Sequence, residues 1–161
     1  MHNAHLKPHA ERFLPAERDT LALGGALAAA LEPGLVVYLS GELGAGKTTL
    51  ARGVLRGLGY TGRVKSPTFT LVEVYKFSKL YLYHFDFYRF DDPKELEDAG
   101  LDEYFGEDAV ALIEWPENAS GLPPADLRID LSVTDGGRTA GLHAETEAGR
   151  LCLERLQRSS T

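Results

Sequence analysis

The chain has 161 residues, a formal net charge of -7 at pH 7, 43% hydrophobic residues and 25% charged residues. This length and composition are typical of a single globular domain with its own core. The acidic balance argues against a protein that mainly binds the nucleic-acid backbone. The single cysteine, Cys152, excludes an internal disulfide and predicts a reducing, cytoplasmic compartment. No apolar run approaches the roughly 18 residues of a membrane span.

Residues 1–13 lack the apolar core of a signal peptide and are predicted to form a flexible polar tail. We therefore expect residues 14–161 to form one domain. The tail contains three of the five histidines, but without the fixed spacing that metal ligands need: His2, His5 and His9.

The first half of this domain predicts a helix, a strand and a second helix. After Pro15, apolar residues recur at helical spacing until Pro33 ends the helix. The run LVVYLSG at residues 35–41 is almost unbroken and rich in β-branched residues, as in strands that are buried on both faces. Behind it, the apolar spacing predicts a second helix that ends at Gly59.

The middle of the chain predicts a β-hairpin. Residues 68–75 and 81–90 alternate as strands around a short turn at residues 77–79, and a helix is expected from Pro93 to Gly100. The second of these strands, YLYHFDFYRF, holds six of the chain's fifteen aromatic residues. Its alternation suits a platform for nucleic-acid bases, a core strand or part of a catalytic site.

The last part of the chain predicts three strands and a helix. Residues 109–114, AVALIE, are typical of a buried strand, and this one ends in an acid. Residues 127–133 and 139–146 predict a hairpin around a turn at residues 135–137, and residues 150–157 predict a closing helix. Helices mixed with both buried and alternating strands predict an α/β domain with a mixed sheet.

Residues 41–48, GELGAGKT, match the pattern G-x-x-x-x-G-K-[ST]. The glycines let successive backbone N–H groups face a polyphosphate at the positive end of the following helix. Lys47 is expected to bridge the β- and γ-phosphates, and the Thr48 hydroxyl to coordinate Mg²⁺. The predicted strand before the loop and helix after it supply the context that this motif requires. We therefore predict nucleotide binding.

A phosphate-binding loop needs an acidic side chain for the metal or for the attacking water. Glu114 ends a buried strand, where such a carboxylate belongs; the alternative is a surface glutamate at a strand end. Asp86 lies between two phenylalanines, where an ionised carboxylate is costly unless it is paired or near a metal. A structural salt bridge of Asp86 with His84 or Arg89 is the alternative there.

Five segments, in this order, resemble the bacterial TsaE (YjeE) family: GELGAGKTTLARGVLRGLG, VKSPTFTLVEVY, YHFDFYRF, ELEDAGLDEYF and ALIEWPENA. The resemblance runs from about residue 14 to about residue 138. It implies one P-loop ATPase domain, with a P-loop NTPase core and a mixed sheet in which antiparallel strands are prominent. It further implies slow, Mg²⁺-dependent ATP hydrolysis that resets the TsaB–TsaD heterodimer, where TsaD modifies adenosine 37 of tRNA. The chain would then meet tRNA only through that complex.

The resemblance gives each matched residue an expected role. Lys47, Asp86 and Glu114 are expected to be catalytic. Thr48, Asp86 and Glu114 are expected at the metal, and which carboxylate binds Mg²⁺ and which activates water stays open. Residues 66–68 match the family's switch loop, although a plain turn into a strand also explains them. The ATP-contacting residues implied by the resemblance are Gly41, Glu42, Leu43, Gly44, Ala45, Gly46, Lys47, Thr48 and Thr49, with Glu17, Thr20, Gly137 and Arg138 near the base.

Strand alternation divides residues 81–90 between two faces. His84, Asp86 and Tyr88 share the face that we expect to look towards ATP. The other face is expected to pack in the core, through Tyr81, Tyr83, Phe85 and Phe87.

Two other function classes are alternatives to the ATPase. A small-molecule kinase, or another P-loop NTPase, would carry the same loop and acid, but a kinase should add an arginine-rich lid, and none is readable after Glu114. An RNA-binding module would use residues 81–90, but that stretch has no glycine and includes an acid, unlike RNA-recognition strands. The kinase is kept as the alternative.

Overall fold

The computed structural model describes residues 9–64, 67, 71–89 and 104–159. Within these residues the chain forms one mixed sheet of seven strands, three α-helices and a short 3-10 helix, Pro116–Asn118. The helices are α1 (Glu17–Ala30), α2 (Lys47–Gly57) and α3 (Glu147–Ser159). The strands are β1 (His9–Leu14), β2 (Val36–Gly41), β3 (Val72–Lys76), β4 (Tyr81–Asp86), β5 (Ala109–Glu114), β6 (Leu127–Thr134) and β7 (Gly137–Ala144).

The strands lie in the order β1-β7-β6-β2-β5-β4-β3. The central pairs β6–β2, β2–β5 and β5–β4 are parallel, whereas the pairs towards both edges are antiparallel. The predicted α/β domain, with a mixed sheet and prominent antiparallel strands, is confirmed. Because the carboxyl ends of parallel strands meet at one edge of a sheet, Gly41, Asp86 and Glu114 end three neighbouring strands side by side.

Each face of the sheet has its own hydrophobic core. The three helices cover one face, where Leu27, Val54 and Leu156 join a cluster that includes Val37 and Leu112 of the sheet. Among the described residues, none of the helices is both long and apolar enough to cross a membrane. The opposite face carries a smaller cluster, formed by Val36, Phe85, Phe87, Ala111 and Ile113.

The strand β1 corrects the prediction for the N-terminus. It pairs with β7 along its whole length, from His9 opposite His143 to Leu14 opposite Arg138. The prediction of a flexible tail is therefore wrong for residues 9–13, while residues 1–8 lie outside the described ranges. HAERFL contains no β-branched residue and its apolar residues do not alternate with polar ones, so its own strand signal is weak. Its ordering comes from backbone hydrogen bonds to a strand near the other end of the chain.

The strand β4 is buried more evenly than its alternation predicted. Phe85 and Phe87 are fully buried, as expected, but Tyr81 is 38% exposed at the start of the strand, so its assignment to the core is wrong. On the other face, Leu82 and His84 are also fully buried. Leu82 belongs to the cluster under the helices and Phe85 to the cluster on the opposite face, so β4 is buried on both faces.

The other predicted elements agree with the structure where it describes them. Both predicted hairpins form, β3 with β4 and β6 with β7, and the closing helix begins at Glu147, before the predicted residue 150. The predicted helix at residues 93–100 and the beginning of the strand predicted at residues 68–75 lie outside the described ranges, as do Ser66 and Thr68 of the switch loop.

The helices α1 and α2 pack with their backbones almost in contact. A Cβ added at Gly24 would lie 2.5 Å from the Leu50 carbonyl oxygen, and one added at Gly53 would lie 2.4 Å from the Leu21 carbonyl oxygen. These distances are too short for any side chain beyond hydrogen, so the glycines permit the close crossing. The crossing holds the first turn of α1 beside the loop that leads into α2.

This crossing can be tested with two glycine substitutions on these helices. Gly53→Ala should lower the free energy of unfolding by about 1–3 kcal/mol, because the new methyl group overpacks a rigid backbone contact. A Cβ at Gly25 meets nothing within 4 Å, so Gly25→Ala should raise that free energy by about 0.5–1 kcal/mol through helix propensity. Urea unfolding curves measure both. Equal effects of the two substitutions would contradict the close packing at Gly53.

Candidate nucleotide-binding site

The loop between β2 and α2 has a backbone that only glycine adopts easily. Gly41 has φ 142° and Gly46 has φ 107°, in the region that other residues rarely occupy. A Cβ at Gly41 would also lie 2.4 Å from the Leu131 carbonyl oxygen. The loop then turns into α2 at Lys47, so that the first N–H groups of this helix point towards the loop. This is the geometry that binds phosphate at a helix N-terminus.

Lys47 is buried, with 5% of its surface exposed. Its Nζ donates hydrogen bonds to the carbonyl oxygens of Gly41 and, at 2.9 Å, Glu42. The same nitrogen lies 4.3 Å from the centroid of the Trp115 ring. Burial lowers the pKa of the Lys47 ammonium, and the carboxylates around it, Glu114 first, oppose this shift. The lysine is therefore held across the loop by neutral groups that a phosphate can replace.

Glu114 lies beside Thr48. Both carboxylate oxygens are 3.3 Å from the Thr48 hydroxyl oxygen, which donates to them. Glu114 is only 2% exposed, so the alternative of a surface glutamate at a strand end is wrong. The contact joins the end of β5 to the start of α2 at the position where Thr48 was expected to meet Mg²⁺.

Asp86 ends β4 next to Glu114, and the two residues are paired in the register of the parallel strands. It is 7% exposed, and its Oδ1 accepts a hydrogen bond of 2.9 Å from the Tyr88 backbone N–H. The His84 ring, considered above as a partner for Asp86, instead lies 2.6 Å from Glu114, measured from Nε2 to Oε2. Both acids therefore lie at one edge of the sheet, in different surroundings.

A cavity of about 530 Å³ opens on one side of the loop. Its walls bring together the lysine, the hydroxyl and the two acids that the sequence singled out, and Arg89 lies at its exposed side. The lining residues are Leu43, Gly44, Gly46, Lys47, Thr48, Thr49, Asp86, Tyr88, Arg89, Glu114 and Trp115.

A second cavity, of about 320 Å³, lies on the other side of the same loop. It is bounded by the start of α1, by the loop and by the turn between β6 and β7, and Arg138 Nη2 lies 3.3 Å from the Gly44 carbonyl oxygen. The structure thus brings together the four residues expected near the base, Glu17, Thr20, Gly137 and Arg138, with Leu14, Pro15 and Ala16, which sequence reasoning had not assigned to the site.

Two further contacts were not predicted. Trp115 has φ 58°, an uncommon conformation for an aromatic residue, which turns its ring onto Lys47 and to 5.0 Å from the Tyr88 ring. His84 of β4 contacts Glu114 of the neighbouring strand β5, on the same face of the sheet. For the contact between His84 and Glu114, the sequence contained one indication. His84 and Asp86 are two residues apart, so they share one face of a strand.

The oxygen donors of the first cavity suit a hard divalent cation. Thr48, Asp86 and Glu114 offer one hydroxyl and two carboxylates, the ligand type that Mg²⁺ prefers. Within the described ranges, no group of three or more His, Cys, Asp and Glu side chains is arranged to hold a metal ion on its own. Such a partial ligand set is what Mg²⁺ uses when nucleotide phosphates complete its coordination.

A parallel sheet centre, a glycine loop that opens into a helix and a buried acid on the adjacent strand define the P-loop NTPase fold. Comparison with known proteins places the chain more narrowly. Residues 14–140 match the family model described as "Threonylcarbamoyl adenosine biosynthesis protein TsaE". The chain belongs to the TsaE family, and the resemblance seen in its sequence is confirmed.

Individual relatives agree with this assignment. The chain is 46% identical over 145 residues to the tRNA threonylcarbamoyladenosine biosynthesis protein TsaE of Haemophilus influenzae, over 86% of this chain and 92% of that protein. It is 50% identical over 97 residues to the protein of the same name from Bacillus subtilis, over 60% of each chain. A crystal structure of Bacillus subtilis YdiB has a TM-score of 0.83 at 33% identity, covering 98% of this chain and 100% of that one.

Trp115 is the chain's single tryptophan, so its fluorescence reports on this site. A nucleotide whose phosphates draw the Lys47 ammonium away from the ring should change the emission saturably, because the cation–π contact is lost. ATP titrations followed by tryptophan emission measure this. AMP, which lacks the β- and γ-phosphates, is the control and should give a much weaker response. An unchanged emission at ATP concentrations that saturate the protein by calorimetry would contradict the expectation.

Proposed function

We propose that this chain is a Mg²⁺-dependent ATPase that supports the TsaB–TsaD heterodimer in threonylcarbamoyladenosine modification of tRNA. The observation that carries the proposal is the convergence of Lys47, Thr48, Asp86 and Glu114 on one cavity beside the glycine loop. Membership of the TsaE family supports threonylcarbamoyladenosine biosynthesis as the process in which the ATPase acts. The cytoplasm is the proposed compartment, in keeping with the single buried cysteine.

Nucleotide binding would use the loop and the two cavities that flank it. The triphosphate lies along the loop, where the α2 N-terminus and the Lys47 ammonium meet its negative charge. The base and ribose then extend into the second cavity, between the start of α1 and Arg138. Both cavities are lined by Gly44, Gly46 and Thr49, so they adjoin at the loop and one nucleotide can span them.

The two acids have different roles in this proposal. Glu114 is beside Thr48, so the two side chains would hold Mg²⁺ together, with Glu114 binding directly or through water. Asp86 faces the same cavity, and its carboxylate orients the attacking water in line with the γ-phosphate. Mg²⁺, when bound, neutralises charge that develops on the transferred phosphoryl group.

Partner dependence is the second half of the proposal. The cavity mouth exposes large side chains, with Leu43 69% exposed and Tyr88 40% exposed. The first cavity is wide and lies open on the side of Arg89, so hydrolysis by the chain alone should be slow. Binding of TsaB–TsaD would exclude water or add charge at this mouth, and tRNA would be met only through that complex.

Three substitutions test the site. Lys47→Ala should weaken ATP binding, because the charge on the β- and γ-phosphates loses its partner. Glu114→Ala and Asp86→Ala should keep some ATP binding, in the Glu114 variant the part that does not depend on Mg²⁺, but lower turnover by roughly 100-fold or more, because metal and water lose their positions. Calorimetry and phosphate release measure binding and turnover.

A matched control for these variants is Asp130→Ala, since Asp130 is a partly exposed acid on β6 that pairs with Arg128 at 3.3 Å. It should leave both binding and turnover unchanged. Turnover close to wild type in both the Asp86 and the Glu114 variants would refute the proposed catalytic site.

The partner assignment is tested by co-purification with TsaB–TsaD and by ATPase assays with and without that heterodimer. Binding and stimulated phosphate release are expected. The same assay separates the ATPase from a kinase, because hydrolysis yields only inorganic phosphate and no phosphorylated acceptor. A chain that neither binds the heterodimer nor responds to it would be a P-loop NTPase with another role.

A further inference from the structure

His84 is a fully buried histidine on the strand next to the edge of the sheet, and nothing in the proposed mechanism uses it. It lies on β4, opposite Leu112 of β5, with 0% of its surface exposed. Its Nε2 is 2.6 Å from Glu114 Oε2, the shortest side-chain contact of that carboxylate among the described residues. A buried polar ring is unfavourable in an apolar core unless its contacts compensate the lost hydration.

The surroundings of the other ring nitrogen, Nδ1, show which nitrogen of His84 donates the hydrogen bond to Glu114. Among the described residues, Nδ1 of His84 has no hydrogen-bond partner. An N–H group buried without an acceptor is rarer and more costly than a buried acceptor without a donor. The proton therefore belongs on Nε2, which donates to Glu114, while Nδ1 carries none. A leucine of similar size would pack here without an unpaired nitrogen, so packing alone does not account for the histidine.

The donated hydrogen bond restricts Glu114. With Oε2 held by His84 of the neighbouring strand, the carboxylate cannot rotate away from Thr48, whose hydroxyl lies 3.3 Å from both of its oxygens. A metal ligand held in this way by an outer hydrogen bond binds its ion more tightly, and removing the outer partner commonly costs about 10–100-fold in metal affinity or activity.

We propose that His84 is the positioning residue that holds the Glu114 carboxylate beside Thr48 and thereby sets the affinity of the ATP site for Mg²⁺. The inference rests on the proposed Mg²⁺-dependent ATPase and deepens it. It also gives the two carboxylates different roles. Glu114, which His84 contacts, binds Mg²⁺, and Asp86 orients the attacking water.

The test compares His84→Leu, which removes the donor, with His84→Gln, whose amide N–H can reach the same oxygen. His84→Leu should raise the Mg²⁺ concentration for half-maximal turnover by about 10–100-fold and remove most of the gain in ATP affinity that Mg²⁺ gives over EDTA. Its ATP affinity in EDTA should stay near wild type. His84→Gln should restore a large part of the Mg²⁺ effect. Trp115 emission gives both affinities, and phosphate release gives kcat and KM.

The control for a general loss of stability in β4 is Phe85→Leu. This substitution opens a cavity on the opposite face of the same strand, where Phe85 is fully buried. Phe85→Leu should unfold more easily and keep the wild-type Mg²⁺ dependence. The inference fails if His84→Leu keeps that dependence, or if Phe85→Leu loses it equally. A wild-type chain that binds MgATP but does not hydrolyse it, either alone or with TsaB–TsaD, would overturn the ATPase proposal instead. The ratio of ATP affinities in Mg²⁺ and in EDTA still decides on His84, because it needs no turnover.

Discussion

The parallel pairing of β5 with both β2 and β4 is the constraint on which the site depends. It places the end of β5 between the phosphate loop and the end of β4, so that Glu114 reaches Thr48 on one side and stands beside Asp86 on the other. Parallel strands end at one edge of the sheet, and polar side chains that follow them meet there. The glycine loop supplies backbone N–H groups that can bind phosphate, and the strand order places Asp86 and Glu114 beside that loop.

The same edge concentrates buried polar groups that do little for folding by themselves. Lys47, His84, Asp86 and Glu114 are each less than a tenth exposed, inside a sheet that is otherwise packed with aliphatic and aromatic residues. Buried charges are retained at a cost in stability, even when they are paired. Their grouping around one cavity is typical of sites where preorganised charge meets a ligand. Stability here comes from the two cores on either side.

The antiparallel parts of the sheet extend the site as well as the core. The pairing of β1 with β7 brings the start of α1 against the turn after β6, so that Thr20 and Arg138 face the loop from one side. The close crossing of α1 and α2, permitted by Gly24 and Gly53, holds this arrangement in place. The N-terminal strand, which looked like a tail, thus bounds the second cavity together with the loop.

Local sequence patterns were enough to predict the phosphate loop, the buried strands and the acid at the end of β5. These patterns are the glycine spacing, the unbroken apolar runs and a strand that ends in a carboxylate. The family resemblance followed from the same motifs. Only the tertiary structure decided that His84 contacts Glu114, that Trp115 covers Lys47 and that residues 9–13 form a strand. The His84 contact and the N-terminal strand depend on partners from distant parts of the chain, and the Trp115 contact depends on an uncommon backbone conformation. Neither cause leaves a local pattern in the sequence.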